Sequence, residues 1–288
     1  MSMAMTSPEF DHTSADGLFS RGAHIFLKRN NSIELSANPA LVRSRSAAVM
    51  SGMRTLTEDP DLRSLFPWHT HIADTYGPKY EQEAGLKHDQ NDGENKFVFQ
   101  YIRGAAYGAE AQARYGEFLT AVSDLDTKAR EYALGIAECI DTSYGRNKPY
   151  SGSLYERIHL GTSVTRVLRY LPTEGGSSDA YPHIDRSLIT IHWKASHQGL
   201  YIFLPDGSKV RIKECSNDAV CAFFGRKYIA ATQQIGNGCP HGVRYDRKPG
   251  EDRYSIVTFV HPAAIDSDVL WLLAHDADIK AKERQIKL

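Results

Sequence analysis

His183-Ile184-Asp185 places an imidazole and a carboxylate two residues apart. In an extended strand, residues i and i+2 point to the same face, so the two groups project side by side. With 12 histidines in 288 residues, chance supplies on the order of one such pair, and only a third ligand gives it meaning. His241 is the candidate. It follows Gly236-Asn237-Gly238-Cys239-Pro240, a turn-rich approach ending where a strand can begin. Two imidazoles and one carboxylate occupy one face of an octahedron and leave the opposite positions open, the donor set of non-haem Fe(II) oxygenases. A structural zinc site more often recruits four protein ligands, thiolates among them. Cys139, Cys215, Cys221 and Cys239 are not spaced for that.

Arg253-Tyr254-Ser255 has the same i, i+2 form and sets a guanidinium beside a hydroxyl. The stretch Tyr245–Glu251, with Pro249-Gly250 inside it, predicts a hairpin that puts Arg253 nearly across from His241 on a neighbouring strand. A cation and a hydroxyl near open metal positions suit the distal carboxylate of a chelating 2-oxo diacid. Arginine grips it with two charge-assisted bonds, a geometry lysine does not offer.

Several elements must position these groups. Beyond residue 160 the chain breaks into short β-rich runs at 163–170, 187–193, 199–204, 208–213, 218–224 and 254–261. Turn signals such as Glu174-Gly175-Gly176, Asp206-Gly207 and Pro249-Gly250 separate them, which predicts an antiparallel sandwich or jelly roll. Upstream, an apolar stripe at helical spacing predicts a helix over about 109–141, read as core packing, and a second over 39–56. Residues 57–95 read as loops and short elements, because Asp59-Pro60, Phe66-Pro67, Gly77-Pro78 and Asp92-Gly93 punctuate them. Lys96–Tyr101 alternates as a short strand, and the tail from Ile265 turns helical, as a lid, a dimer contact or a brace. Residues 1–21 show no periodicity and are expected to fray. The implied division is a largely helical region over 1–150, a β core over 151–264 and a C-terminal helix over 265–288.

Hydrophobic residues make up 41% of the chain and charged residues 24%, ordinary globular values. A net charge of −1 argues against a nucleic-acid partner held by a general basic field. No apolar run approaches the length of a membrane span, and the start lacks a basic then apolar leader. With unpaired cysteines, these features suit a cytoplasmic monomer or homodimer. His69 and His71 share a face but have no third ligand at suitable spacing. On the strand after Asp185, His192 and Thr190 are out of phase with the odd positions, and only one set can face a barrel interior.

Taken in order, Arg169-Tyr170-Leu171-Pro172, the run His183 to Thr190, Gly199-Leu200-Tyr201, Phe224-Gly225, His241-Gly242-Val243 and Arg253-Tyr254-Ser255-Ile256, with Phe259 and Pro262, resemble the isopenicillin N synthase-like branch of the Fe(II)/2-oxoglutarate-dependent oxygenases. The likeness spans about 169–262. It implies a mainly β fold, a double-stranded β-helix (jelly roll, cupin-like) core packed on N-terminal helices and a C-terminal helix. It further implies Fe(II) held by His183, Asp185 and His241, and 2-oxoglutarate held at its C5 carboxylate by Arg253 and Ser255. Tyr170 matches the tyrosine that contacts cosubstrate or substrate in that family. The implied activity uses O2 to oxidise a small molecule by hydroxylation, desaturation or ring formation, with release of succinate and CO2. Three rivals stay open: an oxidative cyclase of the isopenicillin N synthase type that needs no 2-oxoglutarate, a non-catalytic metal-binding β-barrel, and a hydroxylase whose substrate is a protein. Arg226 departs from the family, standing where many relatives carry Asp after the glycine. Lys96, Tyr101, Arg103 and His261 are further pocket candidates by position.

Overall fold

The computed structural model describes residues 32–72, 81–90, 95–105, 107–172, 180–204, 206–213, 215, 219–244 and 250–286. The expectations for 1–21, the turns at Gly77-Pro78, Asp92-Gly93 and Glu174-Gly175-Gly176, and most of 245–251 lie outside them. In chain order the elements are β1 (Ser32–Ser36), α1 (Pro39–Glu58), α2 (Pro60–Arg63), β2 (His69–Ile72), β3 (Glu81–Asp89), β4 (Lys96–Ile102), α3 (Ala109–Tyr144), α4 (Leu154–His159) and β5 (Thr162–Tyr170). There follow β6 (Ala180–His183), β7 (Ile189–Ala195), β8 (Leu200–Phe203), β9 (Lys209–Arg211), β10 (Ala219–Phe224), α5 (Arg226–Thr232), β11 (His241–Val243), β12 (Arg253–His261) and α6 (Asp266–Ile286).

Two antiparallel sheets make the core: eight strands in the order β1-β10-β7-β12-β5-β4-β3-β2, and four in the order β6-β11-β8-β9. This is the double-stranded β-helix expected from the sequence, with helices flanking it. The strand period of two splits the large sheet into unlike faces. Its outer face presents Val167, Trp193 and Ile256, which pack with Val49 and Met53 of α1 and Phe118, Val122 and Ile136 of α3 in one apolar cluster. Its inner face presents Leu168, Tyr170, His192, Ser255 and Val257 to a cavity of about 590 Å3.

Helix α1 begins at a side-chain cap. Asn38 accepts hydrogen bonds from the amides of Ala40 and Leu41 ahead of Pro39, so α1 starts with a capped end and a preset φ. In α3 the apolar stripe continues to Tyr144, with a break from helical geometry at Tyr115.

The region before 150 supplies strands as well as helices. The reading of 57–95 as loops and short elements holds at α2 and β2 and is corrected at β3, nine residues long and rich in charge. Its sequence, Glu81-Gln82-Glu83-Ala84-Gly85-Leu86-Lys87-His88-Asp89, has little strand propensity. Pairing with β4 and docking on the Phe66-Pro67 segment define it instead, the Leu86 amide donating to the Phe66 carbonyl at 2.8 Å. At Gly85 φ is +106°, and a Cβ there would meet the Pro67 carbonyl oxygen at 2.3 Å, so only glycine permits that approach.

Candidate active site

Between β11 and β12 the chain does not form the expected hairpin. β11 pairs with β6 and β8 in the small sheet, whereas β12 pairs with β5 and β7 in the large one. Arg253 therefore lies across from Tyr170, not His241, and the connection crosses between sheets. A three-residue β11 is too short to propagate a two-stranded ribbon, and both its edges are already taken.

The convergence of the three candidate ligands is nonetheless built by strand pairing on the small sheet. His241, the first residue of β11, lies opposite His183, the last of β6, with ring centroids 4.5 Å apart. Directly opposed residues of an antiparallel pair share a face, so two imidazoles distant in sequence become neighbours. Asp185 follows β6 and turns its carboxylate between them: Oδ1 lies 3.4 Å from His183 Nε2, and Oδ2 lies 3.4 Å from His241 Nε2. The three donor atoms fall within 4.8 Å of one another. Asp185 and His241 are buried, whereas His183 is partly open at the cavity.

Backbone carbonyls fix the imidazole tautomers. His183 Nδ1 donates to the Tyr181 carbonyl at 2.7 Å, and His241 Nδ1 donates to the Cys239 carbonyl at 3.1 Å. A carbonyl only accepts, so Nδ1 carries a proton in both rings and each Nε2 faces the Asp185 carboxylate. Two imidazole Nε2 atoms and a carboxylate converging on one point are the donor chemistry that fits a divalent metal. Dehydration lowers His241 to about 4, with Asp185 pulling the other way, so the ring is neutral near pH 7. Dehydration alone would raise Asp185, but His241, His183 and the Thr190 hydroxyl hold its carboxyl well below the usual carboxylate range. The site is thus in its ligating protonation state at Asp185 and His241. Thr190 donates to Asp185 Oδ2 at 2.7 Å and shares a second hydrogen bond with Ser187.

Across the cavity, Tyr170 and Ser255 line the wall formed by the large sheet. Arg253 is fully buried beside them, its guanidinium 5.4 Å from the Tyr170 ring centroid, with Nε donating to the His197 carbonyl at 3.3 Å. His192 settles the phase of β7: the even positions face the cavity. Its Nε2 lies 3.1 Å from Ser255 Oγ, and dehydration with the nearby Arg253 charge pushes it down to about 3, so it is neutral. Of the positional guesses, Lys96 lines the cavity. Tyr101 instead bonds Ser123, Arg103 bonds Asp126 and Thr127 on α3, and His261 is deprotonated by burial away from the cavity lining.

Residues 162–262 match the 2OG-Fe(II) oxygenase superfamily. The fold agrees over nearly the whole chain. A candidate oxygenase from Shewanella oneidensis superposes with a TM-score of 0.71 at 17% identity, covering 93% of this chain and 97% of that one. A full-length Neurospora crassa protein, solved in complex with alpha-KG and 5-formyluracil, gives 0.64 at 15% identity over 86% and 81%. The Arabidopsis thaliana dioxygenase for auxin oxidation 1, solved with 2-oxoglutarate, gives 0.59 at 15% identity over 85% and 88%. No curated protein matches the sequence significantly. The match to the 2OG-Fe(II) oxygenase superfamily covers residues 162–262, and the three clustered candidate ligands His183, Asp185 and His241 all lie within it.

Two contributors had no sequence signal of their own. His192 could have been found only by knowing which face of β7 turns inward. Glu283, on α6, also lines the cavity, and nothing local in the tail marks it.

Proposed function

We propose that this protein is an Fe(II)- and 2-oxoglutarate-dependent dioxygenase that oxidises a small molecule within the cavity between the two sheets. The observation that carries this reading is the triad itself, two imidazoles held by backbone carbonyls and one carboxylate, with donor atoms within 4.8 Å at the wall of a cavity of about 590 Å3. When bound, iron and 2-oxoglutarate supply the oxidising chemistry: O2 and the cosubstrate are consumed, succinate and CO2 leave, and a substrate C–H bond is oxidised.

His183, Asp185 and His241 hold the metal on one face and leave the cavity side open. Arg253 and Ser255 take the C5 carboxylate of 2-oxoglutarate, the first by charge and the second by its hydroxyl. Neutral His192 keeps Ser255 oriented without adding a charge. Tyr170 stacks beside Arg253 and limits how far the cosubstrate can swing. Lys87, Lys96 and Arg166 with Phe223 and Phe259 make the remaining wall both cationic and aromatic, which suits a compact polar substrate with a flat or apolar portion. Among the described residues no helix is long and apolar enough to cross a membrane.

Mixing the protein with Fe(II) and 2-oxoglutarate without oxygen is expected to give a visible charge-transfer band. Oxygen uptake with a substrate is expected to require 2-oxoglutarate and to yield succinate. Turnover that proceeds equally well without 2-oxoglutarate would instead identify the oxidative cyclase, and absence of the band a metal-binding protein of another kind.

A further inference from the structure

α6 reaches into the iron site. Glu283, on its last turns and buried, accepts the amide of Ile184 at 2.9 Å, the residue between the ligands His183 and Asp185. The same carboxylate accepts from Arg226 Nη2 at both of its oxygens, at 2.7 and 2.8 Å. The Arg226 amide closes the circuit by donating to the Asp185 carbonyl at 2.7 Å. Four groups thus form a ring around the ligand turn: Asp185 carbonyl, Arg226 backbone, Arg226 guanidinium and Glu283 carboxylate, which returns to the chain at Ile184. Beneath it, Ile184 packs with Ile229 of α5 and Ile279 of α6 in a small apolar cluster joined by Trp271 and Leu272.

We infer that Glu283 is a positioning residue for the metal: through Ile184 it fixes the angle between His183 and Asp185, while the Arg226 guanidinium neutralises its buried charge. This inference rests on the iron-site reading above. β6 is only four residues long and ends at His183, and Asp185 lies beyond any strand. Strand pairing therefore orients His183 but not the step to Asp185, which the Glu283 bond, the Arg226 amide and the Thr190 hydroxyl restrain. Groups that orient metal ligands without touching the metal commonly control affinity by roughly 10- to 100-fold. Arg226, anomalous as a family feature, has its role here, and the C-terminal helix is a brace of the metal site rather than a detachable tail.

Anaerobic Fe(II) affinity and the visible absorption bands of bound Co(II) test this on the full chain, with melting temperature and circular dichroism read in parallel. Glu283→Ala is expected to weaken Fe(II) by roughly 10- to 100-fold and to alter the Co(II) bands. Asp276→Ala removes the other carboxylate on Arg226, 3.3 Å away and on the same helix, without touching Ile184, and is expected to leave both readouts unchanged. The double variant Glu283→Gln with Arg226→Met keeps an oxygen for the Ile184 amide and buries no unpaired cation. It is expected to bind Fe(II) within about threefold of the parent protein, which supports the inference even if Glu283→Ala fails to fold. Parent-like metal binding by folded Glu283→Ala, equal weakening by Asp276→Ala, or a double variant as weak as Glu283→Ala overturns it. Failure of the parent protein to bind Fe(II) or Co(II) sinks the iron-site reading itself.

Discussion

The two walls of the cavity are held by different forces. On the large sheet, Tyr170 and Arg253 lie in the nine-residue strands β5 and β12, which pair along their whole length, so the positions of the cosubstrate-binding candidates follow from backbone ladders. On the small sheet, the triad lies at the ends of strands four and three residues long, and Asp185 on neither. There the side chains of Thr190 and Glu283, with backbone carbonyls at Tyr181 and Cys239, take over the positioning. The difference teaches where each wall is vulnerable. Truncating a side chain should disturb the cosubstrate wall only where that chain touches the ligand, whereas on the metal wall residues one contact removed should matter as well.

The largest effect is expected at the triad. Asp185→Ala removes the one anionic donor and should lower Fe(II) affinity more than about 100-fold, measured by anaerobic titration, and erase the charge-transfer band. Retained iron binding at parent affinity would break the triad assignment and with it the contrast between the walls.

On the opposite wall Arg253→Ala leaves the fold's ladders intact but removes the buried cation. The apparent 2-oxoglutarate constant should rise by roughly 30-fold to several-thousandfold, equivalent to about 2–5 kcal/mol for one side of a buried charge-assisted pair. Arg253→Lys should recover little of it, because the fork geometry is lost. Steady-state succinate formation against 2-oxoglutarate concentration measures both, and near-parent kinetics in the lysine variant would show that Arg253 is not the clamp.

How much of this was readable beforehand follows the same division. Strands β4, β5, β7, β10 and β12 of the large sheet announce themselves by alternation and by turn residues, and helices α1 and α3 by their stripes. The order His183, Asp185, His241, Arg253, Ser255 was legible because it depends on residue type and spacing alone. Which strands meet was not. Placing Arg253 opposite His241 treated nearness in sequence as nearness in the sheet, yet β11 and β12 belong to different sheets. β3 was missed because its partners define it rather than its own residues. Glu283 lies 99 residues from the amide that it accepts, and no local pattern carries a contact of that range.

Gly225 probes the joint between the metal wall and α5. A Cβ there would meet the Ser187 carbonyl oxygen at 2.2 Å and that of Asp185 at 2.7 Å, both backbone atoms that cannot step aside cheaply. Gly225→Ala should therefore cost about 1–3 kcal/mol of stability or more, as overpacking does, and weaken iron at the same time because the displaced segment carries Asp185. Urea melts and metal titration read the two effects separately. Loss of stability with unchanged affinity would mean that the turn moves as a rigid piece.

The finest test compares two buried threonines of the large sheet, one that reaches across to a ligand of the metal wall and one that backs the cosubstrate wall. Thr190→Val deletes the hydroxyl that donates to Asp185 Oδ2, and should lower Fe(II) affinity about tenfold, the lower end of the range for groups that orient a ligand. Thr258, on the outer face of β12, accepts from Trp193 Nε1 at 3.0 Å and bonds Thr165 at 2.8 Å. Thr258→Val strands the buried indole N–H and should cost about 1–3 kcal/mol in a urea melt. It should leave the constants for both iron and 2-oxoglutarate where they were, since the ladders of β5, β7 and β12 keep the inner face in place. A shift in either constant in the Thr258 variant, or none in the Thr190 variant, would mean that the two walls are positioned in the same way after all.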